Sequence, residues 1–274
     1  MILKLHHQND RQMAGQAVAE GQATLASIEA LAPGTDVDEA LGDWDQVRGM
    51  IRSQREAMPV FAAAPPIIQE GLLFPYLAGA QFMRTFNARR ARPDEEPYGE
   101  RMPISTAQVL HLHVYATRQV PMRIRFGRSP ARDTVVYDDD LGEFETRVAL
   151  ESWGVDTAAA VRAAAGWNGD RFELLGTPAG TVLVWVTAWA TADDLTEFER
   201  ALAGGWARRT GAAARPPELD GGSGADYGAG TGARRWRMER LVLGGASVVR
   251  LVDGPARWDG WTRGPAVTVA PGRP

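Results

Sequence analysis

The chain of 274 residues contains no cysteine, one lysine and four histidines. The lack of cysteine excludes disulfides, thiol catalysis and cysteine-ligated zinc or iron–sulfur sites. Because Lys4 is the sole lysine, chemistry through a Schiff base or a lysine general base has almost no candidate. Any metal or acid–base chemistry must therefore combine histidine with carboxylates.

An excess of positive charge and a long apolar run are also missing. The net charge is -4 and the pI is near 5.7, so electrostatics gives no reason to expect nucleic-acid binding. No segment approaches a transmembrane span, and the amino-terminal residues are too short and polar a stretch for a signal peptide. Taken literally, the chain is cytoplasmic. A helix is expected to begin almost at the first residue. An upstream portion that carries an export signal is therefore an alternative.

The first half is predicted to be helical. Asn9 and Gln12 form a capping box for a helix that runs to about Leu31, and small residues on its apolar stripe allow close approach by another helix. That stripe comprises Ala14, Ala17, Val18, Gly21, Leu25 and Ile28. A second helix is expected over 37–58. A third, over 67–90, follows the proline pair at 65–66, is apolar nearly all round and should be a buried central helix kinked at Pro75.

The second half is predicted to mix helices with a small antiparallel sheet. Helices are expected at 141–153, 157–165 and 191–209, and two hairpins at 171–175 with 181–189 and at 236–243 with 246–252. The Gly/Ala-rich stretch 210–233 should be a flexible loop. The fold class is therefore α+β, with a helical region over 1–129 and an α+β region over 130–274.

The histidines form two pairs, His6 with His7 and His111 with His113. Read as a strand, 109–115 would direct His111, His113 and Tyr115 to one face, which suits a metal. Read as a helix capped by Ser105 with Gln108, the same stretch would place His111 at a helix end. Both interpretations stay open at this point.

Glu20 lies among small and apolar residues and flanks the apolar stripe of its helix. A carboxylate there is either a solvated rim residue or a ligand or base, because an ionised acid is not buried without a partner. Three other features are predicted to have structural roles. The acidic run 138–140 should be an anionic cap for the next helix, and Asp170 and Arg171 should form a turn and an ion pair. Most of the nine tryptophans should pack in the core.

The order of several motifs resembles a family of bacterial zinc metallopeptidases that look gluzincin-like. These motifs are Ala-Val-Ala-Glu-Gly-Gln-Ala-Thr at 17–24, Phe-Pro-Tyr-Leu-Ala-Gly-Ala-Gln-Phe at 74–82 and Pro-Ile-Ser-Thr-Ala-Gln-Val-Leu-His at 103–111. The resemblance continues through Leu-Gly-Glu-Phe at 141–144, Gly-Trp-Asn-Gly-Asp-Arg-Phe at 166–172 and Val-Trp-Val-Thr-Ala-Trp at 184–189. It covers about residues 9–209.

The resemblance implies a zinc-dependent peptide-bond hydrolase acting on a peptide or protein. In that family a His-Glu-x-x-His helix supplies two zinc ligands and the general base, and a later Glu-Gly-Asp/Gln-Ala helix supplies the third ligand, which corresponds to Glu20. By analogy with gluzincins, His111 or Tyr115 would stabilise the tetrahedral intermediate.

Two departures from the family pattern bear on function. Leu112 stands where the family usually has proline, and the His-Glu-x-x-His helix is absent, with His6 and His7 poor substitutes for it. Because Glu20 alone cannot hold zinc, we expect the chain to retain no zinc and to be inactive, as a truncated or a non-catalytic derivative. The alternatives are a non-catalytic peptide- or partner-binding protein and an unrelated metalloenzyme using His111, His113 and Glu20.

Overall fold

The computed structural model describes residues 7–31, 33–34, 58–127, 133–211, 227–231, 233–261 and 264–272. The chain divides into two compact units. We call Asp10–Gln119 the helical unit, and Met1–Asn9 with Val120–Pro274 the sheet unit. The fold class is α+β as predicted, with a helical first half and an antiparallel sheet with flanking helices in the second. Among the described residues, no helix combines the length and the apolar character needed to cross a bilayer.

Among its described residues, the helical unit contains two long helices and several short ones. They are α1 (Asn9–Leu31), α2 (Pro59–Ala63), α3 (Pro66–Arg89), a 3-10 turn (Gly99–Arg101), α4 (Thr106–Leu110) and α5 (Leu112–Ala116). The helix predicted over 37–58 lies outside the described residues. Of the predicted stripe on α1, Ala14, Ala17, Val18 and Gly21 are buried, and Leu25 and Ile28 are half-buried.

Asn9 does not cap α1 as the sequence predicted. It is the first residue of the helix, its backbone N–H donates to Asp139 Oδ1 at 3.0 Å, and its side-chain amide donates to Glu145 Oε2 at 2.8 Å. The carboxylate of Asp139 therefore satisfies an N–H that the first turn of a helix cannot bond internally. The local sequence pattern could not indicate this partner, because Asp139 lies far from Asn9 in the sequence.

Helices α1 and α3 meet backbone to backbone. A Cβ atom placed on Gly79 would lie 2.0 Å from the carbonyl oxygen of Ala17, closer than any real contact. Glycine is thus required at Gly79 because no side chain fits between the two backbones. This is the close helix approach that the small residues of α1 predicted.

The helix α3 is the predicted central helix and continues through Pro75. Its buried face includes Phe74, Phe82, Met83 and Phe86. Leu72, however, is 57% exposed, so burial does not extend around the whole helix. The helix has one buried face, and its all-round apolar composition concealed that asymmetry.

The sheet unit is built on six antiparallel strands in the order β2-β3-β4-β7-β6-β5, with β1 and β8 forming a separate pair. The strands are β1 (Arg123–Phe126), β2 (Thr134–Asp139), β3 (Trp167–Thr177), β4 (Gly180–Trp189), β5 (Tyr227–Thr231), β6 (Arg234–Leu243), β7 (Ala246–Pro255) and β8 (Val267–Ala270). The helices are α6 (Gly142–Ser152), α7 (Thr157–Ala164) and α8 (Ala192–Thr210), and a 3-10 turn spans Asp259–Trp261.

Both predicted hairpins are present. Thr177 pairs with Gly180 across a two-residue turn, and Leu243 pairs with Ala246 across Gly244 and Gly245. Both glycines have positive φ, 58° and 83°, which is the conformation that a tight turn between twisted strands requires.

The two faces of the sheet have different cores. On one face Trp185 contacts Phe198 of α8 and Trp153, the residue that ends α6, at ring-centroid distances of 5.7 and 6.3 Å. On the other face Val186 and Ala188 pack with Ile124 of β1 and Val269 of β8.

Most described tryptophans are buried, namely Trp167, Trp185, Trp189, Trp206, Trp236, Trp258 and Trp261.

Two boundaries differ from the prediction. The units divide between residues 119 and 120 instead of between 129 and 130, because β1 pairs with β8 at the far end of the chain. Within the stretch predicted as a loop over 210–233, Tyr227–Thr231 forms β5 and pairs with β6. Residues 212–226 lie outside the described part.

Candidate functional site

Glu20, the resemblance-implied zinc ligand, lies on α1 beside the contact with α3. It is half-buried, and its backbone carbonyl accepts a hydrogen bond from Thr24 Oγ1 at 2.8 Å. Within the described residues its carboxylate makes no hydrogen bond or ion pair. Because the next residue, Gly21, packs directly on α3, the backbone that carries this carboxylate is held in place.

His111 lies at the junction of α4 and α5, so the helical interpretation is correct and the strand interpretation is wrong. Ser105 caps α4 by accepting from the Gln108 N–H at 3.3 Å, and Gln108 Oε1 accepts from the Ile104 N–H at 2.9 Å. The His111 carbonyl then accepts the first N–H bonds of the next turn, from Val114 and Tyr115.

Leu112 is the first residue of α5. The first position of a helix is where proline is best tolerated, because the N–H there has no partner within the helix. The leucine found in place of the family's proline therefore leaves the helix junction at His111 intact. The rings of His111 and His113 lie 5.7 Å apart between centroids and are tilted by 49°.

Tyr115 is buried, and its hydroxyl donates to the carbonyl oxygen of Arg101 at 2.9 Å. Phe82 and Phe86 contact its ring edge to face at 5.1 and 6.0 Å, and the Arg118 guanidinium lies 5.3 Å from its centroid. Burial raises the pKa of the Tyr115 hydroxyl, while the nearby Arg118 and Arg101 oppose that shift. These contacts describe a side chain built into the core of the helical unit.

Among the described residues, no group of three or more histidine, aspartate or glutamate side chains is placed to hold a metal ion. His6 lies outside the described part, and His7 is exposed in the sheet unit with Nδ1 within 3.0 Å of Asp138 Oδ1. Glu20 and His111 both belong to the helical unit.

The sheet unit carries a group of acids that sequence reasoning did not select. Its centre is Asp170, which is buried and accepts from the backbone N–H groups of Leu141 and Gly142 and from the indoles of Trp167 and Trp185. Burial raises the pKa of Asp170, and these hydrogen bonds oppose the shift. Asp170 thus satisfies the amino terminus of α6. The acidic run 138–140 was predicted to do so; instead Asp139 accepts from the backbone N–H of Asn9.

Glu145 of α6 lies next to that centre and titrates abnormally. Its Oε2 accepts from the Asn9 amide at 2.8 Å. Burial raises the pKa of Glu145 to about 7; the Asn9 hydrogen bond opposes this, and the charges of Asp170 and Asp139 reinforce it. A carboxyl group with a pKa near neutrality can donate or accept a proton at physiological pH.

Glu173 is a second such acid, on the opposite face of β3. It pairs across the strands with Asp138, its pKa is raised to about 7 by burial and by that neighbouring charge, and Arg171 opposes the rise. One of its oxygens, Oε2, is buried without a hydrogen-bond partner. Arg171 forms its ion pair with Asp138, so the predicted pairing with Asp170 was wrong.

Sequence patterns contained a weak indication of both acids. Glu145 occurs between Phe144 and Thr146 in a helix whose buried residues also include Val148, and Glu173 alternates with apolar residues in a buried strand. A carboxylate at such a position needs a partner or a raised pKa. The partners, Asn9 and Asp138, become neighbours only when the chain folds.

Comparison with known proteins gives one family match, which covers part of the sheet unit. The model of a family described as a domain of unknown function (DUF8575) matches residues 132–259. No curated protein and no solved structure matches the chain. The matched stretch includes Glu145, Asp170 and Glu173, while Glu20, His111 and Tyr115 lie outside it. The description of that family names no activity.

Proposed function

We propose that this chain is a zinc-metallopeptidase-like protein, by resemblance a peptide-bond hydrolase, and that it is inactive by itself. The observation that supports this proposal is the position of Glu20, a half-buried carboxylate on a helix held by backbone contact to its neighbour. A metal ligand must be presented by such a rigid support. Glu20 occupies the position that the family motif assigns to the third zinc ligand.

The proposed inactivity rests on the ligand count in the sequence. A hydrolytic zinc needs three protein ligands and an open position, and the sequence lacks the His-Glu-x-x-His helix that supplies two of them in the metallopeptidase family. Glu20 supplies one. His111, at the junction of two short helices, would serve as a hydrogen-bond donor to the substrate and not as a ligand.

The lack of a complete set of zinc ligands also favours one alternative, a non-catalytic binding protein. A non-catalytic protein that binds a peptide or another partner needs no zinc, and it would keep the helix packing while losing the hydrolytic residues. Reading the genomic DNA upstream of residue 1 for an in-frame His-Glu-x-x-His helix separates the two possibilities. Such a helix favours the hydrolase, and its absence favours the binding protein.

A reconstitution experiment tests the role of Glu20 directly. A His-Glu-x-x-His helix joined to the amino end should confer zinc binding, measured by atomic emission after dialysis, together with peptidase activity. Glu20→Gln should abolish zinc retention, whereas Glu29→Gln, an exposed position on the same helix, should not. Equal zinc binding by both variants would contradict the proposal.

The unaltered chain provides the complementary measurement. We expect zinc to be lost on dialysis. Stoichiometric zinc that survives dialysis and disappears in His111→Ala or His113→Ala would instead support the unrelated metalloenzyme.

A further inference from the structure

A groove of about 640 Å³ lies between α7 and α8 in the sheet unit. Its walls carry small residues, namely Ala159 and Ala163 of α7 and Ala201 and Gly204 of α8. The charged residues that line it all belong to α8. None of the acids at the candidate functional site lines this groove, which we call the α8 groove.

The α8 groove follows one face of its helix. The lining residues Asp193, Glu197, Arg200, Gly204 and Arg208 are spaced by three or four positions, which places them on the same side of a helix. The four charged ones are exposed. The two acids precede the two arginines along the chain, so acids line one end of the groove and arginines line the other.

The charges at the two ends have few partners inside the chain. Glu197 lies 3.3 Å from Arg162 of α7, in a pair that is exposed on both sides. Arg208 donates through Nε to the carbonyl oxygen of Trp153 at 3.1 Å, a contact that does not neutralise its charge. Within the described part of the chain the side chain of Asp193 forms no ion pair or hydrogen bond. Asp193 and Arg208 can therefore each pair with a charge from outside the chain.

The glycine at position 204 is not explained by packing within one chain. The next glycine is explained, because a Cβ on Gly205 would lie 3.2 Å from Val155 and 3.3 Å from Trp153. A Cβ on Gly204 would meet only the guanidinium of Arg208, at an ordinary distance of 3.5 Å. Glycine inside a helix lowers helix stability relative to alanine. An open glycine on this exposed face therefore suits the close approach of a second backbone.

The lining face of α8 is complementary to itself in the reverse direction. The point midway between positions 200 and 201 is equally far from Asp193 and Arg208, and equally far from Glu197 and Gly204. When two α8 helices pack antiparallel about a twofold axis at this point, Asp193 of each copy lies opposite Arg208 of the other. Glu197 then lies over Gly204, which has no side chain to clash with it. A twofold interface requires such self-complementarity.

We propose that a second copy of this chain occupies the α8 groove, and that the two chains form a twofold-symmetric dimer through antiparallel α8 helices. The charges select a second copy over an unrelated partner, because the same face supplies both the acid and the arginine of each pair. The dimer is weak, since exposed ion pairs contribute little each and one helix face is a small interface. We expect a dissociation constant of about 10–100 µM, in the range of a transient complex.

The first test is the oligomeric state of the full chain. Sedimentation equilibrium from about 1 µM to about 1 mM brackets the expected dissociation constant. We expect monomer at the low end of this range and dimer at the high end. Raising the salt from about 50 mM to about 500 mM should weaken the dimer several-fold, because exposed charges are screened.

Charge reversal tests the proposed pairing. Asp193→Arg and Arg208→Asp each place like charges opposite one another twice per dimer, so each should weaken self-association by at least about tenfold. An equimolar mixture of the two variants should dimerise again, since both opposed pairs then have opposite signs. The helix dipole also favours acids at the amino end of α8, but this effect acts within one chain and mixing does not restore it. Arg209→Asp is the matched control, because this neighbouring exposed residue does not line the groove, and it should leave the dimer unchanged.

Gly204→Leu tests the contact by shape, with no change of charge. The substitution replaces a glycine inside a helix and should raise the melting temperature of the single chain. Its side chain occupies the space of the second helix, so dimerisation should be lost. Loss of the dimer in a more stable variant cannot come from unfolding.

Three results would overturn the inference. The first is a chain that stays monomeric up to about 1 mM. The second is a dimer that Asp193→Arg and Gly204→Leu leave intact. The third is a mixture of the two charge variants that stays monomeric although both melt like the unaltered chain. The residues belong to the sheet unit, so each of these outcomes leaves the Glu20 proposal untouched.

Discussion

A Cβ atom built on Gly21 would lie 2.2 Å from the carbonyl carbon of Gly79. The two glycines thus bring α1 and α3 into backbone contact. The contact immediately follows Glu20 in sequence. The position of a candidate ligand is therefore set by two residues that have no side chains.

Gly21→Ala should destabilise the helical unit. The added methyl group overlaps backbone atoms that can move only if the helices separate, so the free energy of unfolding should fall by about 3 kcal/mol. Gly15→Ala on the same helix is the matched control, because a Cβ there meets nothing within 4 Å. It should be neutral or stabilising by about 0.5–1 kcal/mol. Similar losses in both variants, measured by chemical denaturation, would show that α1 and α3 are not in contact here.

Asp170→Ala should destabilise the sheet unit strongly. It leaves two backbone and two indole N–H donors without their acceptor, and removing one partner from such a buried charged network costs about 3–5 kcal/mol. Asp156→Ala provides the comparison. Asp156 caps α7 by an ordinary exposed bond to the Ala159 N–H, and its loss should cost about 1 kcal/mol. Equal effects would mean that Asp170 is not the centre of the network.

Glu145→Gln should change the pH dependence of stability. The pKa of Glu145 is about 7 in the folded chain, against the ordinary value of 4.5. Between these values the folded state holds the proton more tightly than the unfolded state, so stability falls as the pH rises from about 4.5 to 7. The variant should be more stable than the unaltered chain at pH 8, by up to about 3 kcal/mol, and equal to it at pH 4.

The control for that measurement is Glu197→Gln. The side chain of Glu197 is 48% exposed and pairs with an exposed arginine, so its effect should be small at both pH values. Glu173, whose pKa is also about 7, should retain part of the pH dependence in Glu145→Gln. Denaturant midpoints that shift equally at pH 4 and pH 8 would exclude a raised pKa at Glu145.

Tyr115→Phe should reduce stability by about 1 kcal/mol, the usual net contribution of one buried hydrogen bond. The aromatic contacts with Phe82 and Phe86 would remain. Tyr76→Phe, at a position 46% exposed, is the reference substitution and should have no measurable effect. An unchanged stability of Tyr115→Phe would mean that its hydroxyl is free for another role, such as the one the resemblance implies.

The elements that the sequence predicts well are those with local determinants. The proline pair at 65–66 marks a helix start, and Gly244-Gly245 marks a hairpin. By contrast β1, β2, β5 and β8 were missed, because their alternation is short, and in β5 consists of glycine and alanine. The strands β1, β2 and β8 have partners far away in the sequence, as Arg123 has in Ala270, whereas β5 pairs with the neighbouring strand β6.

The site residues also divide into those whose bonds join sequence neighbours and those whose partners are distant in the sequence. Ser105, Gln108 and the helix end at His111 could be predicted because their bonds join neighbours in sequence. The bonds of Asp139 and Asp170 could not be predicted, since the N–H groups that they accept from belong to Asn9 and Gly142, at distant sequence positions. The acidic run beside α6 was the nearer capping candidate, and tertiary contact overrode it.

The strand order β2-β3-β4-β7-β6-β5 has a consequence for folding kinetics. Strands β3 with β4, and β6 with β7, close through two-residue turns, whereas the ladder that pairs Ala188 with Val248 must form across a long stretch of chain. Pairing between distant segments forms slowly because loop-closure entropy is lost before contacts compensate for it. We therefore expect the two hairpins to form before the β4–β7 ladder, and the closing of that ladder to limit the rate at which the sheet folds.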